Sequence, residues 1–137
     1  AGVEIKLTAK ECAFYLWLNK YSQSGKTGLI VDRNFEETLS YSKEYLTHLQ
    51  QNSSDLRIFR DTFGVEPEDF RDGLHSNLKV MEKTFVQQTR SRINNKIKNL
   101  LPNELAKKIA IDSNNQSFET SYWLSAVTHN IKINITA

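Results

Sequence analysis

Between Lys83 and Asn103 the chain gathers side chains that hydrogen-bond to base edges and side chains that pair with phosphate. Lys83, Arg90, Arg92, Lys96 and Lys98 supply positive charge, Gln87, Gln88, Asn94, Asn95 and Asn99 supply amides, and Thr84 and Ser91 supply hydroxyls. Asn and Gln can pair with the adenine edge, and Arg can fork onto guanine or hold a phosphate. A carboxylate in this stretch would repel phosphate, and none occurs; with 16 acids in 137 residues, about 2.5 would fall in such a window at random. On a helical wheel Val86, Thr89, Ile93, Ile97 and Leu100 fall together and are expected to face a core. The opposite face then holds Thr84, Gln87, Gln88, Ser91, Asn95, Lys98 and Asn99, with Arg90, Arg92 and Lys96 on its flanks. This pattern assigns Gln88, Ser91, Arg92, Asn95 and Asn99 to bases. Lys83, Arg90, Lys96, Lys98, Lys107 and Lys108 are assigned to phosphate, and double-stranded DNA is the expected partner.

No other constellation carries comparable chemistry. Ser24-Gly25-Lys26-Thr27 imitates the end of a phosphate-binding loop, but the earlier glycine of that motif is replaced by Lys20, and a helical pattern, not a strand, precedes it. Cys12 lies in an amphipathic segment with only Lys10 as a basic neighbour, which suits a small buried residue better than a nucleophile. His48 and His75, expected in helices, and His129, expected after a strand, have neither metal nor triad spacing. Glu36-Glu37 and Glu68-Asp69 fit the favourable charge at helix starts. The expectation is therefore no catalytic residue, no metal, no cofactor and no enzyme.

The charge is small in total but unevenly placed. From Ile30 to Asp72 ten acids face five bases, and from Lys83 to Lys108 seven bases face Glu104 alone. One face for phosphate and another for solubility would produce that division. A single cysteine excludes an intramolecular disulfide. The longest apolar run, near Ala13 to Leu18, is far short of the roughly 20 residues of a bilayer span. These features lead to an expectation of one cytoplasmic domain over residues 1–137, without membrane association.

Periodicity outlines the elements that must position the basic stretch. Thr8 and Glu11 form a capping-box start for a helix over Ala9 to Ser22, with Phe14, Trp17 and Tyr21 in the core and Gly25 and Gly28 as its stop. A second helix is expected after Asp32 or Asn34, placing Phe35, Leu39, Leu46 and Leu49 on one stripe. Short helices follow at Leu56 to Phe63 and after Pro67, ended by Gly64 and Gly73. A long helical pattern covers Leu74 to Leu101, with a break near Glu82 and an end at Pro102-Asn103. The period then changes to two. Ile109 and Ile111 start a hairpin whose turn is expected at Ser113 to Gln116, Tyr122-Trp123-Leu124 form its second strand, and Ile131, Ile133 and Ile135 form a last strand with one buried face. The expected fold class is α+β, mostly helical: a winged helix-turn-helix with a C-terminal β-hairpin and extra helices.

Three segments, LTAKECAFYLWL, FVQQTRSRINNKIKNLLPNELAKKIAI and TSYWL with the later IKI, resemble the C-terminal domain of a family of CRISPR-associated proteins. The pattern is carried by Arg90, Ser91, Arg92 and Asn94, then Ile97 and Leu100, then Glu104, Leu105 and Ala106, then Ile109 and Ile111, then Thr120, Tyr122 and Leu124. The chain departs from it at Ala9, where the family tends to have proline, and at Trp123, where it usually has glycine. Members of that family join an N-terminal CARF domain, which senses cyclic oligoadenylate and can carry ring-nuclease activity, to a C-terminal winged helix. The resemblance implies that this chain is the winged-helix part of a longer antiviral-defence protein, an output or targeting arm of the sensor, and that cyclic oligoadenylate acts only through the absent CARF domain. Two readings follow: a nucleic-acid-binding module that forms a homodimer, or a protein-interaction or dimerisation module whose basic helix meets the acidic stretch Ile30 to Asp72 of a second copy.

Overall fold

The computed structural model describes residues 2–24, 28–125 and 132–136. The capping box closes as the sequence predicts: the Thr8 amide donates to Glu11 Oε1 at 3.0 Å and the Glu11 amide donates to Thr8 Oγ1 at 3.2 Å. Helix α1 (Ala9–Ser24) starts there and runs slightly beyond the expected Ser22; the expected stop at Gly25 lies outside the described residues. Ahead of it, strand β1 (Gly2–Lys6) pairs in parallel with β5 (Lys132–Thr136), a pairing that local pattern cannot reveal because the partners, such as Gly2 and Lys132, lie 130 residues apart. The strand expected at the C-terminal end is therefore present, while the burial of its side chains lies outside the described residues.

After α1 comes β2 (Leu29–Val31), too short to announce itself in the sequence, where a helix was expected to follow closely. Phe35–Glu37 form a single 3₁₀ turn, and α2 (Ser40–Asn52) begins only after it. Leu39 thus stands before the second helix instead of on its stripe, while Leu46 and Leu49 are buried in it. The short helices α3 (Arg57–Asp61) and α4 (Pro67–Arg71, with Pro67 in its first turn) are as predicted. Gly64 and Gly73 follow them at φ 67° and 80°.

The predicted helix over Leu74 to Leu101 is only half right. Residues 74–82 are irregular, so His75 is not helical, and α5 spans Lys83–Leu100 from the break anticipated at Glu82. Ser42 Oγ holds the irregular segment by donating to the Lys79 carbonyl at 2.7 Å. Pro102 ends one helix but starts another, α6 (Asn103–Ile109), which the sequence does not predict: only its last residue, Ile109, is expected to be structured, and as the start of the hairpin. Ile109 is consequently the buried end of α6. The hairpin is β3 (Ile111–Gln116) and β4 (Glu119–Leu124), and its turn is Ser117-Phe118. Ser113 to Gln116, predicted as the turn, lie in β3, because pairing from Ile111 opposite Leu124 to Gln116 opposite Glu119 overrides their turn propensity. Trp123, paired with Asp112, is far from the tip.

The chain is α+β and mostly helical, with a three-stranded antiparallel sheet in the order β2-β4-β3. Its core is aromatic. Phe14, Trp17, Tyr45, Phe63 and Phe85 are buried, and Phe85 meets Phe14, Tyr45 and Phe63 at ring-centroid distances of 6.1, 5.3 and 5.4 Å. These edge-on contacts lock α5 against α1 and α2. Tyr21 is partly buried against the same cluster.

Gly28 is fixed by two constraints at once: its φ is +67°, and a Cβ there would lie 2.2 Å from the Tyr122 carbonyl oxygen. Gly73 shares the positive φ but has open space around it. In urea melts, Gly73→Ala should cost about 1–2 kcal/mol of backbone strain, while Gly28→Ala should cost clearly more because β2 must move away from β4. Equal costs would show that the close approach of Gly28 to Tyr122 is absent.

Candidate nucleic-acid interface

Helix α5 is anchored by Phe85, Val86, Thr89, Ile93 and Ile97, all buried. Its outer face exposes Thr84, Gln87, Gln88, Ser91, Arg92, Asn95, Lys98 and Asn99, as the wheel predicts. Leu100, expected in the core, is instead 60% exposed, because it sits in the last turn beyond the packed stretch. α6 follows across Leu101-Pro102 and exposes Asn103, Glu104, Lys107 and Lys108, with Ala106 and Ile109 inside.

Two of the cations expected to reach phosphate are engaged within the chain. Arg90 Nε donates to the Ile111 carbonyl at 3.1 Å, and its guanidinium lies 5.7 Å from the Tyr122 ring centre. Lys96 Nζ donates to Glu11 Oε1 at 2.5 Å. Neither partnership is visible in a local pattern, since 21 and 85 residues separate the partners. The Lys83 side chain is half-buried, and its amide donates to Glu36 Oε2 at 2.8 Å. Arg92, Lys98, Lys107 and Lys108 point outward as exposed residues, with Gln88, Ser91, Asn95 and Asn99 among them on α5.

Asn94, assigned no binding role, proves to be a structural hinge pin. Its Nδ2 donates to the Ile111 carbonyl at 3.0 Å and its Oδ1 accepts from the Ile111 amide at 2.8 Å, so one side chain satisfies both polar groups of that peptide position. Tyr15 Oη completes the junction by donating to the Ile109 carbonyl at 2.9 Å. The order of α6 and the hairpin relative to α5 is set by these bonds.

Glu11 is almost wholly buried. Burial pushes its carboxyl up, but the hydrogen bonds from Lys96 and the Thr8 amide, with the charge of Lys96, outweigh that and hold it below the usual carboxylate range. Nearby, burial and then the charge of Arg92 pull the Lys10 ammonium below its ordinary value, against the attraction of Glu11. Cys12 is buried and its thiol is pushed up by that burial, so it stays protonated and unreactive at neutral pH. Among the described residues no group of three or more His, Cys, Asp or Glu comes together to hold a metal ion, and no helix is long and apolar enough to cross a membrane.

No family model, no curated protein and no solved structure matches this chain.

Two measurements check this geometry. Asn94→Ala strands the Ile111 amide and leaves its carbonyl to Arg90 alone, and should cost about 1–3 kcal/mol in chemical denaturation; a neutral result would contradict this role of Asn94. The Glu11 carboxylate, with its folded-state pKa lowered, stabilises the fold above the unfolded-state value of roughly 4.3 and loses that contribution as pH falls through the folded-state value. Glu11→Gln should therefore be less stable than the parent at neutral pH, and the difference should shrink steadily below about pH 4. A pH-independent difference would show that the charge of Glu11 contributes nothing.

Proposed function

We propose that this chain is a winged-helix nucleic-acid-binding module. The observation that carries the reading is the outer face of α5 and α6, rich in amides and cations, followed in the chain by the antiparallel hairpin β3-β4. The connection supports it too: a helix, a short strand, further helices, a helix pair joined at Leu101-Pro102 and then a hairpin, with the short strand β2 pairing to β4 in the order β2-β4-β3. That order supports reading the α5-α6 pair and the hairpin as a helix and a wing set against one duplex. Gln88, Ser91, Arg92, Asn95 and Asn99 contact bases, and Lys83, Lys98, Lys107 and Lys108 contact phosphate. Arg90 and Lys96 instead brace α5, on Ile111 and Glu11. The resemblance of its segments to the CRISPR-associated family supports reading the module as the targeting arm of a CARF-type sensor.

A second reading is favoured by the position of α6, which stands directly before the hairpin as the groove-entering helix of a winged helix does. Under it Lys107 and Lys108 approach bases, and α5 lies over the backbone.

Titration of a labelled duplex at several salt concentrations tests the proposal. Three or four phosphate contacts give a slope of log affinity on log salt of about −3. Asn95→Ala and Arg92→Ala should each lose about 1–3 kcal/mol of binding to a preferred site, and change stability by less than about 0.5 kcal/mol. Replacing Lys107 and Lys108 together by Ala should weaken all duplexes about equally; a sequence-selective loss moves base reading to α6. As a packing control, Ile97→Ala should cost about 2–5 kcal/mol of stability whatever the ligand. A slope near zero, with Asn95→Ala and Arg92→Ala altering the monomer–dimer balance, would overturn the proposal and make this face a dimerisation surface.

A further inference from the structure

Phe118, half of the two-residue turn at the hairpin tip, is 85% exposed, more than any other large hydrophobic residue described. Isolated apolar residues on a surface are ordinary, so its surroundings decide what it does. The preceding residues Ser113, Asn114, Asn115, Gln116 and Ser117 carry no charge, and from Asn114 onward all are exposed. Beside the ring is a cleft of about 380 Å³ lined by Asp32, Arg33, Asn34, Phe118 and Glu119. One cation against two carboxylates makes this a poor grip for phosphate. It offers an aromatic face, the amide of Asn34 and carboxylates that accept hydrogen bonds, which together suit the face and amino edge of a base.

The tip is also held at a fixed reach. Six paired residues per strand, rooted at Ile111 by Asn94 and Arg90, carry Phe118 about 20 Å beyond the contact with α5. A single ring on a polar strip is too little surface for a stable dimer, which buries about 800 Å² per partner, but it is enough for one stacking contact.

We infer that Phe118 stacks on an exposed nucleobase, with the amides of Asn114 and Gln116 turned to base edges and not to phosphate. The inference rests on the nucleic-acid reading above and adds a contact independent of the basic helices.

The test uses the full chain with a duplex carrying one bulged 2-aminopurine and the same duplex fully paired. The parent should bind the bulged duplex more tightly and quench its fluorescence. Phe118→Ala should weaken that binding by about 5- to 100-fold, abolish the quenching and leave the salt slope unchanged, because no charge is removed. Phe118→Trp should retain tight binding, and Phe118→Leu, apolar but not aromatic, should behave like the alanine variant. Thermal melts should barely distinguish the variants, since a ring 85% exposed gives up little packing. Parent-like affinity and quenching in Phe118→Ala, with the parent's salt slope intact, would overturn the stacking role and leave the nucleic-acid reading standing. Failure of the parent to bind any oligonucleotide would overturn both. A change in native mass on Phe118→Ala would overturn the stacking role in favour of a contact between two copies.

Discussion

The junction between α6 and β3 is the point on which the arrangement of the candidate interface depends. Within three residues, Ile109 to Ile111, two carbonyls and an amide are bonded by side chains from two distant helices: Tyr15 of α1, and Arg90 and Asn94 of α5. Buried backbone groups left unpaired would each be costly, so these bonds fix where α6 ends and in which direction the hairpin leaves. Lys96 on Glu11 ties the same α5 to the start of α1. α5 is thus held at one side by the aromatic core and at others by polar clamps, leaving only its amide-rich face without a packing role.

This distribution explains why some basic residues are structural and others are not. Charge alone does not separate Arg90 from Arg92 or Lys96 from Lys98, which are neighbours in one acid-free stretch. Their azimuth on the helix does. Arg90 and Lys96 are half-buried on the flanks and find a carbonyl and a carboxylate, whereas Arg92 and Lys98 are exposed. The helix therefore uses Arg90 and Lys96 for its own attachment and displays Arg92 and Lys98.

The legible parts of the fold were those governed by nearby residues. The capping box at Thr8 and Glu11, Pro67 at the start of α4, and the inward stripe from Val86 to Ile97 are local statements, and the structure contains them. What the sequence concealed depends on partners far along the chain. β2 exists because Leu29 to Val31 pair with β4, and Asn114 and Asn115 are extended because Ser121 and Thr120 lie opposite them. α6 was hidden for a different reason: Ile109 and Ile111 alternate like strand residues, although one closes a helix and the other opens a strand across Ala110. Of the candidate site, the exposed face of α5 could be read from its period, but the clamps of Arg90, Asn94 and Lys96 could not.

The most direct measurement of the central claim is a two-dimensional amide NMR titration of the labelled chain with a short duplex. The account predicts that shifts concentrate on the outer face of α5, on α6 around Lys107 and Lys108, and on the hairpin turn at Ser117-Phe118, including the side-chain amides of Asn95 and Asn99. Shifts confined to the acidic stretch from Ile30 to Asp72, or the absence of any shift at low salt, would contradict it.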